Sequence, residues 1–420
     1  MLEALDILQE ILLFFWQIIK WTWWIFIPII LFINIRDLWL GYVKSKFFKK
    51  VEYTLYQIKI PRYIEQSFKS MEDVFNTFHS IQISPPKFKD RYFKGKAQLW
   101  LSFEIVGDRE NGVAFYVRTP NEYKYLVESQ MYAQYPDLEL DEVDDYTNIF
   151  SSSLPNDFWD IWGTDFGLIK PSPYPILTYP FFESFKEEKN IDPLSSLMEI
   201  ISKLKADERI WIQILFKPAD DSCKKEGESI VNKLIGKKEP KQRSFWDYLS
   251  EFLINFIKAP FEAPEWSDGG GSEGSSGAVG QLTPGEKDVV QAIQHKISKL
   301  LFDTTIRVVY IDRKDSFSRL NIASIMGFFR QFNTLNLSGF KPVTSFKGKW
   351  PFKNQKEIWN KTQFYQKYLK RGFNSDTKMV LNTEELATIF HFPTSIVKAP
   401  VLRRIEAKKG EPPANLPIEK

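Results

Sequence analysis

Residues 97–118 read AQLWLSFEIVGDRENGVAFYVR, two alternating apolar runs either side of a polar turn. Ala97–Val106 and Gly112–Arg118 have the period of strands, and Gly107–Asn111 supplies the turn between them. Working outward, Val51–Ile60 (VEYTLYQIKI) is a further strand, stopped by Pro61. Phe68, Met71, Val74, Phe75 and Phe78 recur at helical spacing. Downstream, Glu122–Gln134 is helical, and Pro136 forces an exit into the strand Leu138–Val143. Strand, helix, strand, strand, helix, strand is the split-βαβ order of ferredoxin-like domains, here over residues 51–150.

A second lobe is expected over residues 151–335. Leu168–Phe182 holds extended, proline-bounded stretches; Pro193–Leu204 is helical and Arg209–Phe216 (RIWIQILF) is a strand. Pro284–Leu301 has proline in its first turn, as a helix start prefers. Thr305–Ile311 is a strand and Phe317–Phe332 a helix. If the halves correspond, residues 218–283 are an insertion where the first lobe has its hairpin. The insertion carries an amphipathic stretch, Phe245–Ala259, and a flexible Gly/Ser tract at 267–280 (SDGGGSEGSSGAVG). The recurrence of helix and strand by chance is the competing reading.

The N-terminus reads differently. After an acidic tail at 1–10, residues 11–36 (ILLFFWQIIKWTWWIFIPIILFINIR) form a predominantly apolar run of the length that spans a bilayer. Lys20, Trp21, Trp23 and Trp24 on one side and Arg36 and Trp39 on the other fit membrane-interface anchors. The basic segment 37–50 follows, so the positive-inside rule places the bulk of the chain in the cytoplasm, single-pass at the inner (cell) membrane. A buried core helix, or two amphipathic pieces broken at Lys20, is the alternative. The expected fold class is therefore α+β: an N-terminal transmembrane helix, then two ferredoxin-like (split βαβ) lobes, the second with a large insertion.

Catalytic machinery is not evident. The net charge is only +3, and the single cysteine, Cys223, gives no disulfide framework. Gly95-Lys96, Gly236-Lys237 and Gly348-Lys349 lack the rest of a P-loop. Gly270–Gly274 matches Gly-x-Ser-x-Gly but lies in the flexible tract, where a nucleophile elbow cannot form. His79, His295 and His391 are far apart and lack metal-ligand spacing, and read as helix-surface or loop residues. Asp141, Glu142, Asp144 and Asp145 read as a solvated strand end. No catalytic, cofactor-binding or metal-binding residue is assigned, no cofactor is expected, and the chain is not expected to be an enzyme.

Residues 336–420 form the last region, a basic aromatic segment with a C-terminal tail. Between Phe340 and Lys378, Lys341, Lys347, Lys349, Lys353, Lys356, Lys361, Lys367, Lys370 and Arg371 alternate with Phe346, Trp350, Phe352, Trp359, Tyr365 and Tyr368. Cations for phosphates beside rings for bases are the ingredients of single-stranded DNA binding. Lys341, Lys347, Lys349, Trp350, Lys353, Lys370 and Arg371 are the candidate nucleic-acid contacts. A basic surface facing anionic lipid or water has the same charge count.

Several stretches carry a resemblance. Leu381–Pro393 (LNTEELATIFHFP), Lys398–Ile405 (KAPVLRRI), Gly410–Pro417 (GEPPANLP), Lys59–Arg62, Met71–Phe75, Phe115–Pro120 and Glu128–Pro136 together resemble the N-terminal membrane-anchored region of conjugation or type IV secretion-like ATPases. These belong to the HerA/FtsK/coupling-protein superfamily of small-genome bacteria. The matched region is itself a domain of unknown function, so it lends no catalytic residues. In that family a motor domain would follow residue 417, whereas this sequence ends at Lys420. The resemblance thus implies a membrane-anchored, non-enzymatic assembly or adaptor subunit of a DNA-transfer machine. It would be oligomeric and would dock a separate P-loop ATPase. On this resemblance either the ATPase is a separate polypeptide, or the sequence is a truncated or split product. A membrane-tethered nucleic-acid-binding module is the alternative.

Overall fold

The computed structural model describes residues 2–61, 67–150, 153–184, 192–236, 282–348, 350–374, 379–393 and 404–405. The chain begins with helix α1 (Leu2–Phe48), followed by β1 (Tyr53–Pro61), α2 (Phe68–Phe78) and the short α3 (Phe88–Tyr92). The hairpin β2 (Leu101–Asp108) and β3 (Gly112–Pro120) comes next, then α4 (Lys124–Gln134) and β4 (Glu139–Glu142). In the hairpin, Asp108 accepts from the Asn111 amide, and Gly112 takes a φ of 72°, a left-handed conformation that favours glycine. These strands pair in the order β4-β1-β3-β2, all antiparallel.

The second half repeats that order. It consists of β5 (Trp159–Leu168), α5 (Tyr179–Ser184), α6 (Leu194–Ser202), β6 (Arg209–Pro218), α7 (Ser222–Leu234), α8 (Pro284–Ser298) and β7 (Leu301–Arg313). After β7 come α9 (Arg319–Arg330), β8 (Phe340–Pro342), α10 (Lys353–Leu369), β9 (Met379–Asn382), α11 (Thr383–Ile389) and the two-residue β10 (Arg404–Ile405). Here the order is β6-β7-β5-β8, with β9 extending the outer side of β7. Between β6 and β7 the described residues hold α7 and α8, packed on one another through Val231, Val290 and Ile293. The sequence-read helix Phe245–Ala259 and the Gly/Ser tract lie outside the described residues.

The two halves are not separate lobes. β2 and β6, the inner edge of each half, pair antiparallel from Leu101↔Phe216 to Asp108↔Arg209. One sheet of nine antiparallel strands results, and β10 adds to β1 in parallel. An unpaired strand edge exposes a row of hydrogen-bonding groups, and joining the edges removes two of them at once. Alternate side chains then point to opposite faces. Val308 and Tyr310 enter the larger core with α2, α4, α6, α9 and α11, whereas Val309 and Ile311 enter the smaller core under α10.

The expected transmembrane span at 11–36 is corrected. Among the described residues no helix is long and apolar enough to cross a membrane. α1 is long, but Gln17, Lys20, Thr22, Pro28 and Asn34 interrupt its apolar run, and the Lys20 side chain is exposed. Its C-terminal part is held by protein instead. Leu40 and Val43 are buried, the Trp39 indole donates to the Tyr92 carbonyl at 2.8 Å, and Phe48 packs on Trp100 with ring centroids 4.9 Å apart. The anchor reading of Lys20, Trp21, Trp23, Trp24, Arg36 and Trp39 therefore loses its basis; Arg36 pairs with Asp37 at 2.8 Å.

The shared core has a direct test. Phe103 on β2 is fully buried, 5.4 Å from Phe216 across the junction and 4.3 Å from Phe390 beyond α11. Phe103→Ala should cost about 3–5 kcal/mol, the usual range for emptying a buried aromatic site. Denaturant titration should show one transition displaced as a whole. Two separated transitions would mean that the halves fold independently.

Candidate functional site

The basic aromatic segment folds as a loop, described at residues 343–348 and 350–352, leading into α10. One face of α10, with Phe364, Tyr365 and Tyr368 at helical spacing, is buried on the sheet. The approach is close: a Cβ at Gly163 on β5 would collide with the Phe364 ring. The last carbonyls of the helix, unsatisfied by the helix itself, find donors from the sheet. Arg307 Nη1 donates to Lys367 O at 3.1 Å and Gln213 Nε2 to Tyr368 O at 3.3 Å. Arg307 is itself paired with Asp165 at 2.7 Å, and Asn374 Nδ2 donates to the same carboxylate at 2.8 Å.

Arg371 completes the anchorage. Its backbone takes a φ of 47°, reversing the chain after α10, and its side chain is buried. The guanidinium donates to Glu104 at 2.6 and 3.0 Å and to Asp145 at 2.6 and 3.0 Å. Tyr146 donates to Glu104 at 2.6 Å and lies 2.7 Å from the Tyr368 hydroxyl; Ser102 donates to the other Glu104 oxygen at 2.6 Å. Burial, followed by the Glu104 charge, pushes both tyrosine hydroxyls well above their ordinary range. Burial works to raise the Asp145 carboxyl, but Arg371 outweighs it and holds Asp145 below its usual value. Nearby Arg118 is pushed down to about 10, first by burial and then by the positive charge of Arg371.

This geometry divides the candidate nucleic-acid contacts. Arg371 is consumed inside the molecule and cannot reach a phosphate. Lys341, Lys347, Lys353 and Lys370 are exposed, as is Trp350 at 88 %; Lys349 lies outside the described residues. Phe352 and Trp359 are exposed at 60 and 63 %. The structure adds Lys356, Trp359 and Lys367 to the exposed set on α10. Their signal in the sequence is the spacing 356, 359, 363, 367, 370, which lies opposite 361, 364, 365 and 368 on a helix.

The remaining titratable groups are mostly internal partners. Asp141 and Glu142 pair with Lys59 and Lys124, so with Asp145 on Arg371 the acidic run is largely paired. His391, read as a surface or loop residue, is buried against Asp192 and the Ala387 carbonyl. Burial lowers the His79 pKa. Lys296 and Glu385 form a fully buried pair at 2.9 Å, while Lys299 bonds Glu72 at 2.8 Å and also Glu384. Among the described residues no group of three His, Cys, Asp or Glu side chains is arranged to hold a metal ion.

The match that names this arrangement covers residues 45–403. The chain belongs to the family described as a domain of unknown function, DUF8128. Membership spans both half-sheets, α10 and α11, and it brings no link to conjugation ATPases or the HerA/FtsK superfamily. No curated protein matches the chain. Within this DUF8128 domain, the motif-bearing stretch Leu381–Phe392 is buried throughout. It is core, with an Asn382–Glu385 capping box at the start of α11, rather than a free docking tail.

Arg371→Gly separates backbone strain from charge. Glycine suits the left-handed φ, so strain alone predicts a neutral or stabilising change. Loss of the guanidinium leaves Glu104 buried without its cation, which should destabilise by about 3–5 kcal/mol. Asp145 adds a pH signature. Its folded pKa lies below the ordinary value of 3.8, so its contribution is complete above that value and disappears as pH falls through the folded pKa. Stability measured from pH 6 downward should therefore fall less steeply in the Arg371→Gly protein than in the parent.

Proposed function

We propose that this protein is a non-enzymatic assembly or adaptor subunit of a type IV secretion-like or DNA-transfer machine, oligomeric and docked to a separate P-loop ATPase. One observation carries the assembly role. Ile29, Ile30, Leu31, Phe32, Ile33 and Ile35 of α1 are each 44–69 % exposed. Five consecutive residues cover every side of a helix, since each advances about 100°. A stretch of helix apolar on every side, as at 29–33, calls for cover, and none comes from the described residues of this chain. Other helices, from further copies or from a partner, supply it in this reading. The type of machine rests on the resemblance alone.

Light scattering of the full-length chain should give particles of more than one copy. Ile29→Asp with Phe32→Asp should reduce that mass while leaving the sheet's thermal transition in place, because both side chains lie away from the core. Co-expression with a P-loop ATPase from the neighbouring reading frame should yield a complex. A parent chain that is monomeric and does not retain that ATPase would defeat the proposal.

A further inference from the structure

The outer face of α10 is an unpartnered basic surface. Lys356, Trp359, Lys367 and Lys370 share it, and Lys353 and Trp350 stand at its N-terminal end. The single acid of the helix, Glu357, turns to Lys361 at 3.5 Å, and Lys361 is also held by Asp160 at 2.9 Å. Among the described residues none of Lys353, Lys356, Lys367 and Lys370 makes an ion pair, so four ammonium groups face outward along about 25 Å of helix. Lys353 and Lys356 also sit in the first turn, where the helix dipole favours acids and the helix carries none. That local cost buys nothing inside the fold.

We infer that this face binds a single-stranded nucleic acid. Phosphates meet the lysine row, and unstacked bases lie on Trp350 and Trp359. Charge sets the class of partner as a polyanion. The aromatic side chains narrow it further. Rings exposed at 88 and 63 % have open π-faces, which single-stranded bases can cover and duplex bases, stacked on one another, cannot. The firm seating of α10 through Arg307 and Arg371 keeps the row in register with the sheet. This site is independent of α1 and of the assembly proposed for it.

Fluorescence anisotropy of a labelled oligo-dT with the full-length chain provides the test. Affinity should fall steeply with salt, by about 0.7 log units per log unit for each phosphate neutralised. Lys356→Glu, Lys367→Glu and Lys370→Glu together should flatten that slope by about 2 and lower affinity at least tenfold. Trp359→Ala should weaken binding roughly 5- to 150-fold. These side chains are exposed, so thermal melting should be unchanged. Lys224→Glu, Lys225→Glu and Lys287→Glu, on α7 and α8, remove the same charge elsewhere and should have little effect. Absence of binding at low salt overturns the inference. So does equal loss in the α7–α8 control, which means net charge alone, or equal competition by polyglutamate, which means an acidic protein partner.

Discussion

The rest of the structure depends on the pairing of β2 with β6. Each half-sheet alone would end on a strand whose side chains are nearly all buried but whose backbone is half satisfied. Pairing the two edges supplies eight residues of register and gives each face of the sheet a core shared by both halves. It also brings Glu104 opposite Gln213 in the centre of the sheet. Those two polar residues lie on the face covered by α10, and each holds a different group at the end of that helix.

That face is unusual for the amount of charge it buries. Two arginines, Arg307 and Arg371, and the carboxylates of Glu104 and Asp165 are almost fully covered. Buried ion pairs add little net stability compared with apolar packing of the same shape, since desolvation offsets their attraction. What they contribute is position. A hydrophobic contact tolerates a slide of an ångström, whereas bidentate bonds from one guanidinium to two carboxylates do not. α10 is thereby fixed at its C-terminal end, while its N-terminal end and the loop before it carry the exposed aromatic rings.

Local patterning was legible in the sequence; non-local partnership was not. Alternation and the polar turn marked the hairpin at 97–118, and helical spacing marked α2, α4 and α9, because each rests on neighbours a few residues apart. Nothing in residues 101–108 says that their second edge is taken by 209–216, since any buried strand would read the same. The apolar run in α1 illustrates the opposite error. Length and composition favoured a bilayer, yet among the described residues no helix is long and apolar enough to cross one, because Gln17, Lys20, Thr22, Pro28 and Asn34 interrupt the run. Arg371 was mistaken for a surface cation because a basic residue after a basic helix has no sequence mark of burial. Its partners lie at positions 104 and 145. The outer lysines of α10 could have been sorted by angular position, which requires only knowing which residues face inward.

The late position of α11 has a consequence for how the chain is made. Phe390 stacks on Phe103, Phe392 meets Phe115 and Tyr135, and Glu72 accepts from Thr383. The first half-sheet therefore lacks a wall of its core until residues 383–392 have been synthesised. At the usual rate of about 5–20 residues per second the ribosome takes roughly 15–60 s to add those ~300 residues. The edge of β2 can be closed earlier, once β6 has been made, and α2 and α4 are already present, but the side chains of Phe103 and Phe115 lack their α11-side cover until the end of that interval. Loop closure over so long a separation is also slow. A chain ending just before α11 would lack the Phe390 and Phe392 packing on Phe103, Phe115 and Tyr135, leaving one wall of the first half-sheet's core open.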